Sequence, residues 1–188
     1  MNRLTTIIIC LVVGISAPCQ SKKEIKKFKI RSATEWETLT ADGKTNTYKT
    51  SYEEFDKAGH SILKIEYGPD GSILHKETAT YNNYGKKTEE SEWDVIKKKN
   101  TRKVYKYNAM QDRTEEVEYN AAGVILKMIA FTYDADGNKT VETITDPAGN
   151  ILKKMTFTYN AKNLKTGKQT FTKSAVPESV KKWDYVYY

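Results

Sequence analysis

Tyr133-Asp134-Ala135-Asp136-Gly137-Asn138 decides the fold, because the same frame recurs along the chain. It stands 14 residues earlier as Tyr119-Asn120-Ala121-Ala122-Gly123-Val124 and 12 residues later as Thr145-Asp146-Pro147-Ala148-Gly149-Asn150. Phe55-Asp56-Lys57-Ala58-Gly59 and Tyr67-Gly68-Pro69-Asp70-Gly71 are further copies. The markers, aromatic or in place of an aromatic, are Phe55, Tyr67, Tyr81, Trp93, Tyr107, Tyr119, Tyr133, Thr145, Tyr159 and Phe171, in steps that alternate 12 and 14. The unit is therefore 26 residues, and a fixed period of this kind means one supersecondary unit copied and stacked.

Each frame places glycine four residues after its marker, with Asn163 in that slot after Tyr159. Glycine and asparagine tolerate positive φ. Asp or Asn just after the ring can accept from its own turn backbone, and Pro69 and Pro147 suit a turn's second position. This is hairpin chemistry with a bulge. Lys97 and Gln111 occupy the glycine slot in two altered copies, which predicts longer or strained turns there.

Between turns the chain alternates. Ile125, Lys127, Ile129, Phe131 and Tyr133 point one way, and Leu126, Met128, Ala130 and Thr132 the other. The reading is all-β: an antiparallel meander of hairpin repeats in a single curled or barrel-like sheet. Both steps are even, so all ring markers are expected on one face. Lys64, Glu66, Glu90, Glu92, Lys106, Glu116, Glu118 and Glu142 are expected on a solvated opposite face. The basic stretch 22–29 is expected to protect one sheet edge.

The Tyr-Asp-x-x-Gly-Asn core at 133–138, its Asp-Pro-Ala-Gly-Asn variant at 146–150 and the related copies resemble the tyrosine–aspartate (YD) repeats of the Rhs family. The resemblance covers residues 51–188. It is nearest to the short envelope proteins of Bacteroidota-type bacteria that carry a few such repeats. It implies a β-repeat shell or sheet, and it brings no catalytic residues.

Three segments follow: a signal peptide at 1–19, a basic N-terminal segment with the first strand at 20–50, and the YD-like β-repeat domain at 51–188. The leader has Arg3 as its sole charge, an apolar run from Leu4 to Ile15, and small residues before a polar chain. It implies an extracytoplasmic protein: periplasmic, secreted or outer-membrane-associated. Cys19 is a candidate for lipidation, although Pro18 departs from the usual lipobox, and ordinary cleavage after Ser16 or after Cys19 is the alternative. Cys10 and Cys19 are the only cysteines, so the chain beyond them offers no thiol for a disulfide, a zinc site or a nucleophile.

The net charge is +7. Its clusters at 22–29 and 97–103 read as solvated turns and a tether, with attraction to anionic lipid or polysaccharide as the alternative, rather than as a nucleic-acid surface. Asp134, Asp136 and Asn138 put glycine at the wrong place for a calcium loop and read as a turn. His60 is expected exposed and His75 on the ring-bearing face, with no metal-ligand spacing between them. Glu77, Glu89 and Glu115 are expected on the ring face, paired with Lys103, Lys127 or Lys153. No phosphate loop, nucleophile elbow or dinucleotide pattern is present. The sequence reading is a non-enzymatic envelope interaction or structural module without cofactor or metal. Its partner would be an envelope protein or a glycan, and the alternative is a carbohydrate-binding module using exposed rings.

Overall fold

The computed structural model describes residues 21–41, 44–172, 174–186 and 188. The leader reading and Cys19 lie outside the described residues. A short helix α1 (Lys22–Phe28) precedes twelve strands: β1 (Ser32–Ala41), β2 (Lys44–Phe55), β3 (Ser61–Tyr67), β4 (Ile73–Tyr81), β5 (Lys87–Asp94), β6 (Lys99–Tyr107), β7 (Arg113–Asn120), β8 (Ile125–Tyr133), β9 (Lys139–Thr145), β10 (Ile151–Tyr159), β11 (Lys165–Phe171) and β12 (Ser179–Lys182). They form one antiparallel sheet in strict chain order, with β1 and β12 at its two edges. The sheet is not closed into a barrel. Segment 20–50 thus holds the helix, all of β1 and the start of β2, and the sheet begins at Ser32.

Most of the turns form because an Asp or Asn after the ring accepts from the loop it opens; after Tyr67, where Gly68 follows the ring, Asp70 accepts the Ser72 amide instead. Asp134 Oδ1 accepts the amides of Asp136 and Asn138 at 3.0 and 2.8 Å. Asn120, Asp146 and Asn160 do the same two and four residues on. Asp134 and Asn138 are thereby turn residues. Gly137 takes φ 80°, while Gln111 and Asn163 hold the same slot at 65° and 58°. The altered turn after Trp93 differs from expectation. The strand runs one residue further, to Asp94, and Lys98 rather than Lys97 adopts the positive φ, 50°.

Register overturns the one-face expectation. Directly paired residues share a face, and from β2 onward the partners differ in parity. One row runs Phe131↔Glu142↔Met155, and the row behind it runs Ala130↔Thr143↔Lys154↔Phe171. Most hairpins carry a bulge beside the turn, which adds one residue to one strand and flips the numbering. The β5–β6 hairpin reaches the same offset with a loop of four residues between Asp94 and Lys99. Phe55, Tyr81, Tyr107, Tyr133 and Tyr159 therefore lie on one face, here the tyrosine face. Tyr67, Trp93, Tyr119, Thr145 and Phe171 lie on the opposite face. The charges expected behind the rings are largely among them: Lys64, Glu66, Glu90, Glu92, Glu116, Glu118 and Glu142 occupy the tyrosine face, and Lys106 the other.

The rim carrying the turns after Phe55, Tyr81, Tyr107, Tyr133 and Tyr159 is the A rim. The rim with the alternate turns is the B rim. At the A rim a second ladder runs across the strands. The hydroxyls of Tyr81, Tyr107, Tyr133, Tyr159 and Tyr185 donate to the carbonyls of Ser61, Lys87, Arg113, Lys139 and Lys165, at 2.6–2.9 Å. Each bond spans 20 residues and recurs every 26. Pairing of β9 with β10 ends at Val141↔Thr156, and beyond it the Tyr159 hydroxyl supplies a donor to Lys139.

Helix α1 is closed by a capping box between Ser21 and Glu24 and buries Ile25. It does not line an edge strand, contrary to the expectation for the basic stretch. A Cβ on Gly59 would stand 2.8 Å from the Lys22 carbonyl, and one on Gly85 would stand 3.8 Å from Lys22 Nζ. The helix therefore sits over two A-rim turns, at 56–59 and 82–85.

Two substitutions test this frame. Gly137→Val should destabilise by about 1–3 kcal/mol more than Ala122→Val, because only the first forces a branched side chain to positive φ. Nothing lies within 4 Å of the Gly137 Cβ position, so the loss reports backbone strain alone. Tyr133→Phe should cost about 0.5–1.5 kcal/mol in chemical denaturation by deleting one bond of the hydroxyl ladder.

Candidate functional site

The tyrosine face is built in columns of period 26. The strands that follow the A turns from Tyr81 onward open with Lys87, Arg113, Lys139 and Lys165. Two residues before the closing tyrosine stand Tyr105, Phe131, Phe157 and Trp183. Strand order places the cations between these rings. Arg113 lies over Tyr105 at 4.2 Å, Lys139 over Phe131 and Phe157 at 5.2 and 5.0 Å, and Lys165 over Phe157 and Trp183 at 4.9 and 5.9 Å. Cation–ring attraction strengthens where water is partly excluded. Tyr105 and Phe157 are buried, at 7% and 8% exposure.

A third column supplies carboxylates three residues after the cations. Lys87–Glu90 (2.7 Å), Arg113–Glu116 (2.9 Å) and Lys139–Glu142 (2.5 Å) are ion pairs. Lys87 also meets Glu77, and Lys103 meets Glu90. Burial alone would raise the Glu90 pKa. Hydrogen bonds from Lys87 and Tyr105 and the charges of Lys87 and Lys103 override it and hold Glu90 at about 2. This carboxyl is thus an anion and an acceptor at neutral pH, the reverse of the raised carboxyl that a general acid needs. Burial, followed by the Glu90 bond, pushes the Tyr105 phenol upward.

The other carboxylates singled out in the sequence are placed differently from expectation. Glu77 is on the tyrosine face, but the bulges turn Glu89 and Glu115 to the opposite face. There they pair with Arg102 and Lys106 rather than with the lysines expected. Lys127 pairs with Glu118.

His60 is not exposed. Its ring stacks on Tyr81 with centroids 4.4 Å apart, and Nδ1 meets Asp56 at 2.8 Å. It fills the seat under α1. His75 is on the tyrosine face as expected, but its neighbours there left no trace in the local sequence. Register sets it opposite Asp94, and Glu92 shares the face two residues before Asp94. His75 Nδ1 lies 3.3 Å from Asp94 Oδ2, and the donor atoms of the three residues lie within 4.8 Å of one another. The cation column and this trio were both discoverable: the first by aligning the chain at period 26, the second only with the bulge counted.

On the opposite face, Tyr67, Trp93 and Tyr119 stand on β3, β5 and β7 in an oblique row: Trp93 is level with Ile65 and Tyr119 with Ser91, so each ring is two strands across and two residues along from the next. Trp93 is exposed. Lys49 lies over Tyr67 at 3.9 Å, and Arg102 over Tyr119 at 4.4 Å.

No protein-family description matches the sequence, and no curated protein is similar to it. Among solved structures, the chain is similar to part of a TcdB2-TccC3-TEV crystal structure (12% identity, TM-score 0.32, 77% of this chain and 11% of that one). It is also similar to a porin-like protein from Bacteroides uniformis (11% identity, TM-score 0.35, 81% and 82% of the two chains). A third similarity is to a mutant of S. aureus TarM in complex with Fondaparinux, alpha-GlcNAc-glycerol and UDP (13% identity, TM-score 0.28, 69% and 22%). The chain thus spans about a tenth of the TccC3-containing chain. Likenesses this distant assign no activity to the chain.

Stability should follow the ionisation of Glu90. Its folded pKa of about 2 lies below the ordinary 4.5, so the stability it contributes is complete above 4.5 and is lost as pH falls towards 2. In melting temperatures recorded down that range, Glu90→Gln should be less stable than the parent at neutral pH, and the two should converge in acid.

Proposed function

We propose that this chain is an exported, non-enzymatic interaction module of a bacterial envelope, of the short YD-repeat kind. The supporting observation is the tyrosine face. Its carboxylates Glu77, Glu90, Glu116, Glu118 and Glu142 are each held by a Lys or Arg, so they serve to knit columns together. Glu90, the carboxyl most strongly shifted among the described residues, is shifted away from acid chemistry. Both faces of the single sheet are open to a partner. The leader directs the chain out of the cytoplasm; cleavage after Cys19 releases the chain, and cleavage before it would leave Cys19 as a lipid attachment point. The lysines of α1, exposed at the A rim, suit a peripheral seat on an anionic membrane surface.

A second reading is favoured by the ring row Tyr67, Trp93 and Tyr119. The three rings form one oblique row across alternate strands, which suits stacking against successive sugars of a chain. Arg102 beside Tyr119 adds a donor for hydroxyl or carboxylate groups. In this reading the envelope partner is a glycan laid across the strands.

Calorimetric titration with peptidoglycan fragments and β-linked oligosaccharides separates the two. The glycan reading predicts saturable binding that is lost in Trp93→Ala/Tyr119→Ala with little change in melting temperature. Absence of binding, with an envelope protein captured by cross-linking in cells, supports the protein-partner reading. Turnover of any glycan that depends on Glu77 or Glu90 would contradict both. Palmitate labelling abolished by Cys19→Ala tests the anchor, and a parent chain without label refutes it.

A further inference from the structure

We propose that His75, Glu92 and Asp94 form a binding site for a divalent transition ion of the zinc class, on the tyrosine face towards the B rim. The site is built by the sheet. His75 on β4 and Asp94 on β5 are register partners, so their side chains leave the same face side by side. Glu92 lies two residues back on β5, one pleat repeat away on that face. One imidazole nitrogen and two carboxylate oxygens therefore converge, all within 4.8 Å of one another.

Two features distinguish this trio from an exposed acidic patch. Asp94 is buried, at 7% exposure, and is positioned: its Oδ1 accepts the Lys97 amide at 2.8 Å, which turns Oδ2 towards the histidine. His75 Nδ1 is buried and makes no hydrogen bond, although Asp94 Oδ2 is only 3.3 Å away. A buried imidazole nitrogen whose one neighbour is too long and poorly aligned for a good hydrogen bond is costly. An ion between it and the two carboxylates would satisfy all three.

The donor set selects the ion. One imidazole with two carboxylates suits zinc and its neighbours, with solvent completing the sphere. Calcium prefers six to eight oxygens, and magnesium keeps most of its waters.

Two lysines stand where the ion's charge would be. Lys97 Nζ lies 3.1 Å from Asp94 Oδ2, and Lys99 pairs with Glu92. Lys97 is mostly exposed, at 67%, and can leave for water as the ion enters. The ion and the lysine therefore compete for one carboxylate, and that competition makes the site testable.

The experiment is titration of the full chain with Co2+ as a spectroscopic probe, followed by calorimetry with Zn2+. The expected result is one saturable site with a visible cobalt band. His75→Ala should abolish the band with an unchanged circular dichroism spectrum, and Lys97→Met should tighten binding several-fold. Mg2+ and Ca2+ should not displace the cobalt. The proposal is overturned if no saturable cobalt signal appears in the parent chain. It is equally overturned if His75→Ala binds as well as the parent, or if Lys97→Met leaves the affinity unaltered.

Discussion

The hydroxyl of a tyrosine that closes one strand donates to the carbonyl of the residue that opens the strand before it, and the whole A rim depends on that bond. A single sheet with no second layer among the described residues has little interior. Few of its side chains fall below a tenth exposed: Phe55, Ala79, Asp94, Tyr105, Val117, Met155 and Phe157 in the strands, and Ile25 of the helix. Burial against a facing layer cannot hold it. Lateral contacts between successive units must, as in other repeat architectures where each unit leans on its neighbours. The tyrosine bonds and the cation–ring interleaving run across the strands with a 26-residue beat, and the cation–glutamate pairs repeat with the same beat along single strands.

The bulge links that cohesion to function. Because it flips parity at the hairpins, the tyrosine face takes the A-rim rings and the paired charges, and the opposite face takes the B-rim rings. One face becomes a tightly cross-linked mosaic, and the other presents Trp93 to solvent. The same flip places His75 beside Asp94 rather than one residue out of line.

Much of the fold is legible in the chain itself. The spacing of Tyr119, Tyr133 and Tyr159 marks the strand ends, and the Asp or Asn after each ring marks the turns, since both are local chemistry. The faces are not legible by parity, because an even step between Tyr107 and Tyr119 conceals the extra residue that a bulge inserts. The same hidden residue moves Glu89 and Glu115 to the side opposite the one expected. Lys98 takes the left-handed position in place of Lys97 because β5 runs on to Asp94, whose side chain closes that loop. His60 looks exposed in the sequence because its cover, α1, comes from a distant stretch whose docking leaves no local signal. The metal-site trio needs cross-strand register, which no single strand contains.

Cross-strand nuclear Overhauser contacts in the labelled chain test the central claim most directly. The account predicts backbone contacts joining Phe131 to Glu142, Ile144 to Lys153 and Val104 to Val117, with Tyr133 ring protons close to Arg113. Contacts joining Phe131 instead to Val141 or Thr143 would put Tyr133 and Thr145 on one face and contradict it.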